Sequence, residues 1–195
     1  MIDFHAPKPP VILASASPRR RELLSAAGID HVVDAANVDE TPRDGEAPRA
    51  YVERLARAKA SAIAALRPDA TVIGADTVVV IGDRILGKPA DAVDAARMLA
   101  ALSNREHTVL TAVAVARGGD VRATVASTSV WMRAISEYEI NEYVASGEPM
   151  DKAGAYAIQG GAARFVERIS GDFDTVVGLP INVVRRLLTA AGGVS

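Results

Sequence analysis

The chain has 195 residues, of which 49% are hydrophobic, 24% charged and 4% aromatic, with a formal net charge of −2 and no cysteine. That is enough apolar sequence for one large core, read as a single domain over residues 1–195. The charge balance and scarce aromatics argue against a nucleic acid polymer as partner, and the missing cysteines exclude disulfides, thiolate zinc sites and cysteine nucleophiles.

Residues 1–10 are a short polar extension ending in Lys8-Pro9-Pro10, without the apolar run of a signal peptide. No stretch approaches the length of a membrane span, so a soluble cytoplasmic protein with no membrane partner is expected. Residues 11–14 read as a short strand turning through Ser15-Ala16-Ser17-Pro18 into a helix, with Ser17 as N-cap, Pro18 at the first helical position and Gly28 past the end. Arg19, Arg20 and Arg21 in its first turn have the wrong sign for the helix dipole. Either they face solvent or an anion sits at that end.

Residues 31–36 read as a second strand and 37–46 as a polar loop, in which Asp39 and Glu40 could reach a metal. A helix over 48–66 lines up Val52, Leu55, Ala56, Ile63 and Leu66 on one face. Lys59 falls on that same stripe, either snorkelling out or pointing inward at an anion.

Residues 71–81 form the most apolar strand, with continuous β-branched runs on either side of Gly74-Ala75-Asp76, as in a strand buried on both faces. An unpaired carboxylate there is costly. Asp76 therefore sits either in an Asx-turn at a strand break or beside a gap left for a ligand, as a metal-binding or proton-accepting group.

Gly82-Asp83 is a turn into a short strand over 84–86, followed by Gly87-Lys88-Pro89, which either fixes Lys88 before the proline or is an ordinary turn. Asp91 caps a helix to Leu102 with Val93, Ala96 and Leu99 inward. Residues 107–116 and 121–133 make a hairpin around Gly118-Gly119. His107 reads as structural, and His5, His31 and His107 lack metal-ligand spacing.

Ser136 to Glu139 is a capping box for a helix that points Ile140, Tyr143 and Val144 inward and ends at Gly147. Residues 148–161, carrying Glu148, Asp151, Lys152 and Gln159, are a long segment too apolar over 153–158 for disorder. A strand is expected over 164–169, a turn over 171–174 and an extended run over 176–179. Pro180 then opens a helix with Ile181, Val184, Leu187 and Leu188 inward, and residues 191–195 form a fraying tail. The alternation predicts an α/β or α+β domain with a mixed sheet.

The residues that break these patterns are Ser17, Arg19, Arg20, Lys59, Lys88 and Lys152 on one side and Glu40, Asp76, Glu148 and Asp151 on the other. Cations with carboxylates, and neither cysteine nor a histidine cluster, suit a phosphate-rich substrate carried with magnesium or manganese. Walker, nucleophile-elbow and dinucleotide-binding glycine motifs are absent. Metal-assisted attack of water on a phosphate anhydride is the chemistry left.

The ordered motifs Ala14-Ser15-Ala16-Ser17-Pro18-Arg19-Arg20, Val38-Asp39-Glu40, Arg54-Leu55-Ala56 with Lys59, Gly74-Ala75-Asp76-Thr77, Gly87-Lys88-Pro89, Asp151-Lys152-Ala153-Gly154-Ala155-Tyr156 with Ile158-Gln159-Gly160, and Val177-Gly178-Leu179-Pro180 resemble the Maf family of nucleoside triphosphate pyrophosphatases. The resemblance implies a two-lobed α/β domain with a mixed twisted sheet flanked by helices, similar to inosine triphosphate pyrophosphatases. It also implies hydrolysis of a nucleoside triphosphate to the monophosphate and diphosphate with a divalent metal, and a homodimer. It makes Asp76 the proton acceptor and Glu40 a partner of metal or water, both as metal ligands, with Ser17, Arg20, Lys59 and Lys88 around the triphosphate and Lys152 beside them. Arg19, Thr77 and Gln159 resemble the dTTP/UTP branch rather than the branch acting on 7-methyl-GTP. Gln159 offers a donor and an acceptor to the edge of a uracil or thymine ring. The alternatives are the 7-methyl-GTP branch and a nucleotide-binding regulator of septum formation, a role associated with the family name.

Overall fold

The computed structural model describes residues 10–192. Residues 1–9 of the expected 1–10 extension and residues 193–195 of the expected 191–195 tail lie outside the described residues. In chain order the elements are β1 (Val11–Leu13), α1 (Pro18–Ala26), β2 (Val32–Val33), α2 (Pro48–Leu66), β3 (Thr71–Ile81), β4 (Arg84–Leu86), α3 (Ala92–Leu102), β5 (Arg105–Arg117), β6 (Asp120–Met132), α4 (Glu137–Ala145), β7 (Val166–Ser170), α5 (Phe173–Val177) and α6 (Ile181–Ala190). Short 3₁₀ turns fill residues 148–165 between α4 and β7. No helix among the described residues is long and apolar enough to cross a membrane.

The strands form one mixed sheet in the order β2-β1-β3-β5-β6-β7, with β4 also on β3. β1, β2 and β3 run parallel, and the remaining pairings are antiparallel. Gly118 and Gly119, both at positive φ, make the tight β5–β6 turn that matches strand twist. β3 is unbroken through Gly74 and Ala75, so the strand break that an Asx-turn at Asp76 requires does not exist.

Alternation along β3 divides the core. Val72, Val78 and Val80 pack with Val52, Ala56, Ala60 and Ile63 of α2 on one face. Ile73 and Ala75 pack with Leu24, Leu179, Val184 and Leu188 on the other. Further along, Val79 joins a third cluster with Leu99, Leu102, Tyr143, Tyr156 and Phe165. Asp76 therefore lies midway along a strand shared by all three clusters.

Several local expectations are corrected. β2 is two residues long rather than six, because it is the outermost strand and β1 offers only Ile12 and Leu13 to pair with. Leu66, expected on the core stripe of α2, is exposed in the helix's last turn. In α3 the inward stripe is Ala95, Met98, Leu99 and Leu102, at spacings of three and four, which leaves Val93 outside. Residues 173–177 form a helical turn instead of a turn and an extended run. Asp172 caps it by accepting the Asp174 N–H, and burial of Thr175 and Val177 overrides the strand preference of the β-branched run. The last strand starts at Val166, since Arg164 belongs to a 3₁₀ turn. Ser17 makes no side-chain cap; its own N–H donates to Ser15 Oγ.

His107 is buried, as a structural residue should be, with Nε2 2.8 Å from the Tyr156 hydroxyl. Burial pushes its imidazole down to about 4, so it folds neutral while the unfolded chain protonates nearer 6.5. Its contribution is full above about pH 6.5 and is lost as pH falls through about 4, on the order of 3 kcal/mol in all. Denaturant titrations from neutral to acidic pH should show a shallower decline for His107→Gln than for the wild type; parallel curves would contradict this assignment.

A Cβ at Gly74 would collide with the Ala56 carbonyl oxygen and lie 2.6 Å from the Ala60 nitrogen, both backbone atoms of α2. Gly74→Ala must push α2 off the sheet and should cost about 1–3 kcal/mol. A denaturation midpoint equal to that of the wild type would show that the helix does not press on this strand.

Candidate functional site

Between the stretches of β3 that pair with β1 (71–73) and with β4 (79–81), residues 74–78 have no strand on that side. Such a divergence of strands is where α/β sheets open a crevice. Asp76 stands at its centre and is only 8% exposed.

Close approach of α2, permitted by Gly74, places Lys59 Nζ 2.7 Å from Asp76 Oδ1 and 2.7 Å from Glu40 Oε1. Lys59 is therefore directed inward at carboxylates and does not snorkel. Burial holds the Asp76 carboxyl above its ordinary range, with Lys59 and Arg20 pulling it back down and Glu40 pushing it further up. Asp76 Oδ2 has no protein partner among the described residues and is free to meet water or a cation.

Glu40 is exposed, yet its loop is tied down. Tyr51 Oη donates to the Glu40 carbonyl at 2.9 Å, and Arg54 donates to the Thr41 carbonyl at 3.1 Å and to both oxygens of Glu46. Asp39 accepts the Thr41 N–H in an Asx-turn. Nothing in the local sequence pattern marks Tyr51, although it lies eight residues before Lys59, two helical steps of four on one face.

Arg20 turns under the sheet while Arg21 stays exposed. Its Nε donates to the Gly178 carbonyl, Nη1 to Ser15 Oγ and the Ala75 carbonyl, and Nη2 to Thr77 Oγ1, at 2.9–3.1 Å. The Ala75 bond caps the open edge of β3 beside Asp76. Thr77 faces away from Asp76, as adjacent strand residues must. Its Oγ1 lies 2.9 Å from Thr111 Oγ1, and Thr111 in turn donates to the Thr175 carbonyl at 2.7 Å. Each hydroxyl has one hydrogen, so Thr77 must donate to Thr111. Thr111 was not singled out from the sequence, because only the β3–β5 register reveals that it opposes Thr77.

The third wall is residues 87–89 with 151–160. Gly154 N–H donates to the Gly87 carbonyl at 2.9 Å, which brings the backbones at Lys88 and Lys152 together. Gly154 rests on Val79, three residues beyond Asp76. Lys152 pairs with Asp151. Arg19 and Lys88 have no hydrogen-bonded or ion-paired partner among the described residues, and Arg19 lies close enough to Tyr143 and Asp151 for its charge to bear on both. Gln159 is exposed, and its side chain makes no hydrogen bond among the described residues.

The fold thus joins Asp76, Lys59 and Glu40 in direct contact, with Arg20 behind the strand. Ser17, Arg19, Lys88, Lys152 and Gln159 sit on the flanking segments without touching that centre. Among the described residues no group of three or more histidine, cysteine or acidic side chains could hold a metal. Two carboxylates with hard oxygen donors match a magnesium-like ion, which takes its remaining ligands from phosphate and water.

A profile of the family described as Maf-like protein matches residues 10–191. Among curated relatives, the dTTP/UTP pyrophosphatase of Shewanella oneidensis is 50% identical over 190 residues, spanning 93% of this chain and 98% of its own. The protein of that name from Cereibacter sphaeroides is 52% identical, spanning 93% and 95%. That from Myxococcus xanthus is 51% identical, spanning 93% and 92%.

Because Lys59 lowers the Asp76 pKa and Glu40 raises it, the two partners are separable by mutation. Carboxyl ¹³C NMR titration should place the Asp76 midpoint higher in Lys59→Met and lower in Glu40→Gln than in the wild type. Shifts of the opposite sign would show that the three groups are not coupled as the contacts imply.

Proposed function

The chain belongs to the Maf-like protein family, and on that premise we propose that it hydrolyses dTTP and UTP to the monophosphate and diphosphate, with Asp76 as proton acceptor. The observation that carries the assignment is Asp76 itself: a buried carboxylate at the open edge of β3, held on one oxygen by Lys59 at 2.7 Å with the other oxygen unpartnered among the described residues.

Water adds its oxygen to phosphorus as the anhydride bond between the α- and β-phosphates breaks; the water proton goes to Asp76 and the electron pair leaves with diphosphate. A base acts best with its pKa near the working pH, and burial raises that of Asp76 in this direction. Lys59 fixes its orientation and favours its ionised form against the burial that raises it. Arg20 is engaged by four protein acceptors, which makes it a brace for the strand edge and for Thr77. That leaves Arg19, Lys88, Lys152 and the Ser17 hydroxyl to meet the phosphates, where charge develops on the leaving group. Gln159 supplies the donor and acceptor for the edge of the pyrimidine ring.

Glu40 and Asp76 would hold a magnesium or manganese ion, which when bound supplies charge neutralisation at the phosphates. Freedom from cysteine suits a reducing cytoplasm. The homodimer rests on the family resemblance.

Asp76→Asn should lower diphosphate release from UTP and dTTP by about 10²–10⁴-fold, the usual worth of a general base, while nucleotide binding stays measurable by calorimetry. A wild-type rate in this variant would remove Asp76 from its role. Purified wild type that releases no diphosphate from UTP or dTTP with magnesium or manganese would overturn the activity. Faster turnover of 7-methyl-GTP would move the chain to the other branch.

A further inference from the structure

Gln159 sits at the tip of a turn whose backbone is gripped at three points. The Gly160 N–H donates to the Ala157 carbonyl at 3.1 Å, closing the turn. The Ala157 N–H donates to the Tyr143 hydroxyl at 3.1 Å, and the Gly161 N–H donates to both oxygens of Glu148 at 3.2 and 3.1 Å. Tyr143 Oη also donates to Glu148 Oε1 at 2.9 Å, joining the last two grips through one carboxylate. The Tyr143 ring is buried edge-on against Phe165, with centroids 5.6 Å apart, so the clamp is anchored in the core. Both ends of the turn are fixed while the Gln159 side chain is free.

Gly160 shows how closely the carboxylate is seated. Its φ of −117° is not the left-handed value that calls for glycine. A Cβ, however, would run into Glu148 Oε1 and lie 2.6 Å from Cδ and 2.8 Å from Oε2. The carboxylate fills the space that a side chain at 160 would take.

We infer that Glu148, acting through Tyr143 and the Gly161 amide, is a positioning residue that sets Gln159 against the pyrimidine base and thereby helps decide which triphosphates are accepted. The inference rests on the proposed role of Gln159. Among the described residues Glu148 makes no hydrogen bond or ion pair with Asp76, Lys59 or Glu40, so its loss acts on base recognition and spares the chemical step.

Two substitutions break the clamp by different routes. Glu148→Ala removes the carboxylate. Gly160→Ala displaces it, because the obstructing atoms are the flexible end of a side chain. Glu148→Gln keeps an oxygen that can accept from both donors. Steady-state kinetics of diphosphate release from UTP, dTTP and GTP should show KM for the two pyrimidines rising about tenfold in Glu148→Ala and in Gly160→Ala, with kcat within about twofold. The pyrimidine preference over GTP should fall toward that of Gln159→Ala, Glu148→Gln should restore most of it, and Gly160→Ala should add nothing in the Glu148→Ala background. If Glu148→Ala fails to fold, Gly160→Ala and Tyr143→Phe carry the same reading. A loss confined to kcat, or unchanged selectivity in Glu148→Ala and Gly160→Ala beside an altered Gln159→Ala, overturns the inference alone. Unchanged selectivity in Gln159→Ala overturns the base-reading role, and this inference with it.

Discussion

The ion pair between Lys59 and Asp76 is the constraint on which the rest of the site depends. Two opposite charges, each about one-tenth exposed, lie 2.7 Å apart between a helix and a strand. Removing one partner from such a pair leaves an uncompensated charge out of water, a loss of about 3–5 kcal/mol. The pair can form only because Gly74 lets α2 press its backbone onto β3, and because Lys59 is on the helical stripe that carries Val52, Ala56 and Ile63 into the core. Apolar packing thus sets the helix position, and the helix position sets the geometry of the charges.

The reverse side of β3 is built to hold that arrangement still. Arg20 reaches from α1 to β3 and to the end of α5, and the threonines 77, 111 and 175 tie β3, β5 and α5 into one directional chain. A half-buried guanidinium with four acceptors is well satisfied and so held in one orientation. An arginine in the first turn of a helix, of the wrong sign for the dipole, is explained here by protein carbonyls and hydroxyls as much as by any ligand.

Around the rim the same economy recurs with different residues. The loop bearing Glu40 is pinned by Tyr51 and by the Arg54–Glu46 pair, which holds Glu46 down at about 2. The turn bearing Gln159 is pinned by Tyr143 and Glu148. The Gln159 side chain stays free and the Glu40 carboxylate stays half-exposed beside Lys59, while backbone groups next to both are bound. Pre-ordering a loop in this way lowers the entropy lost when a ligand arrives.

Much of this was legible in the chain itself. The β-branched runs around Asp76, the 48–66 helix and the lysine on its apolar face follow from local periodicity, and their bounds agree with α2 and β3. The motif order was enough to indicate the family, because each motif is a short contiguous string. What failed was mostly at edges: Leu66 and Val93 fit an apolar pattern but lie where no partner covers them, and 173–177 became helical because burial outweighed propensity. What sequence alone could not decide was partnership. It marked Arg20 and Lys59 as unusual cations, but only the tertiary structure gave Lys59 to two carboxylates and Arg20 to four acceptors, set Thr77 against Thr111, and joined Glu148 to Tyr143 and Gly161. The physical reason is that periodicity fixes which face a side chain occupies, whereas its partner depends on strand register and on the close approach of elements distant in the chain.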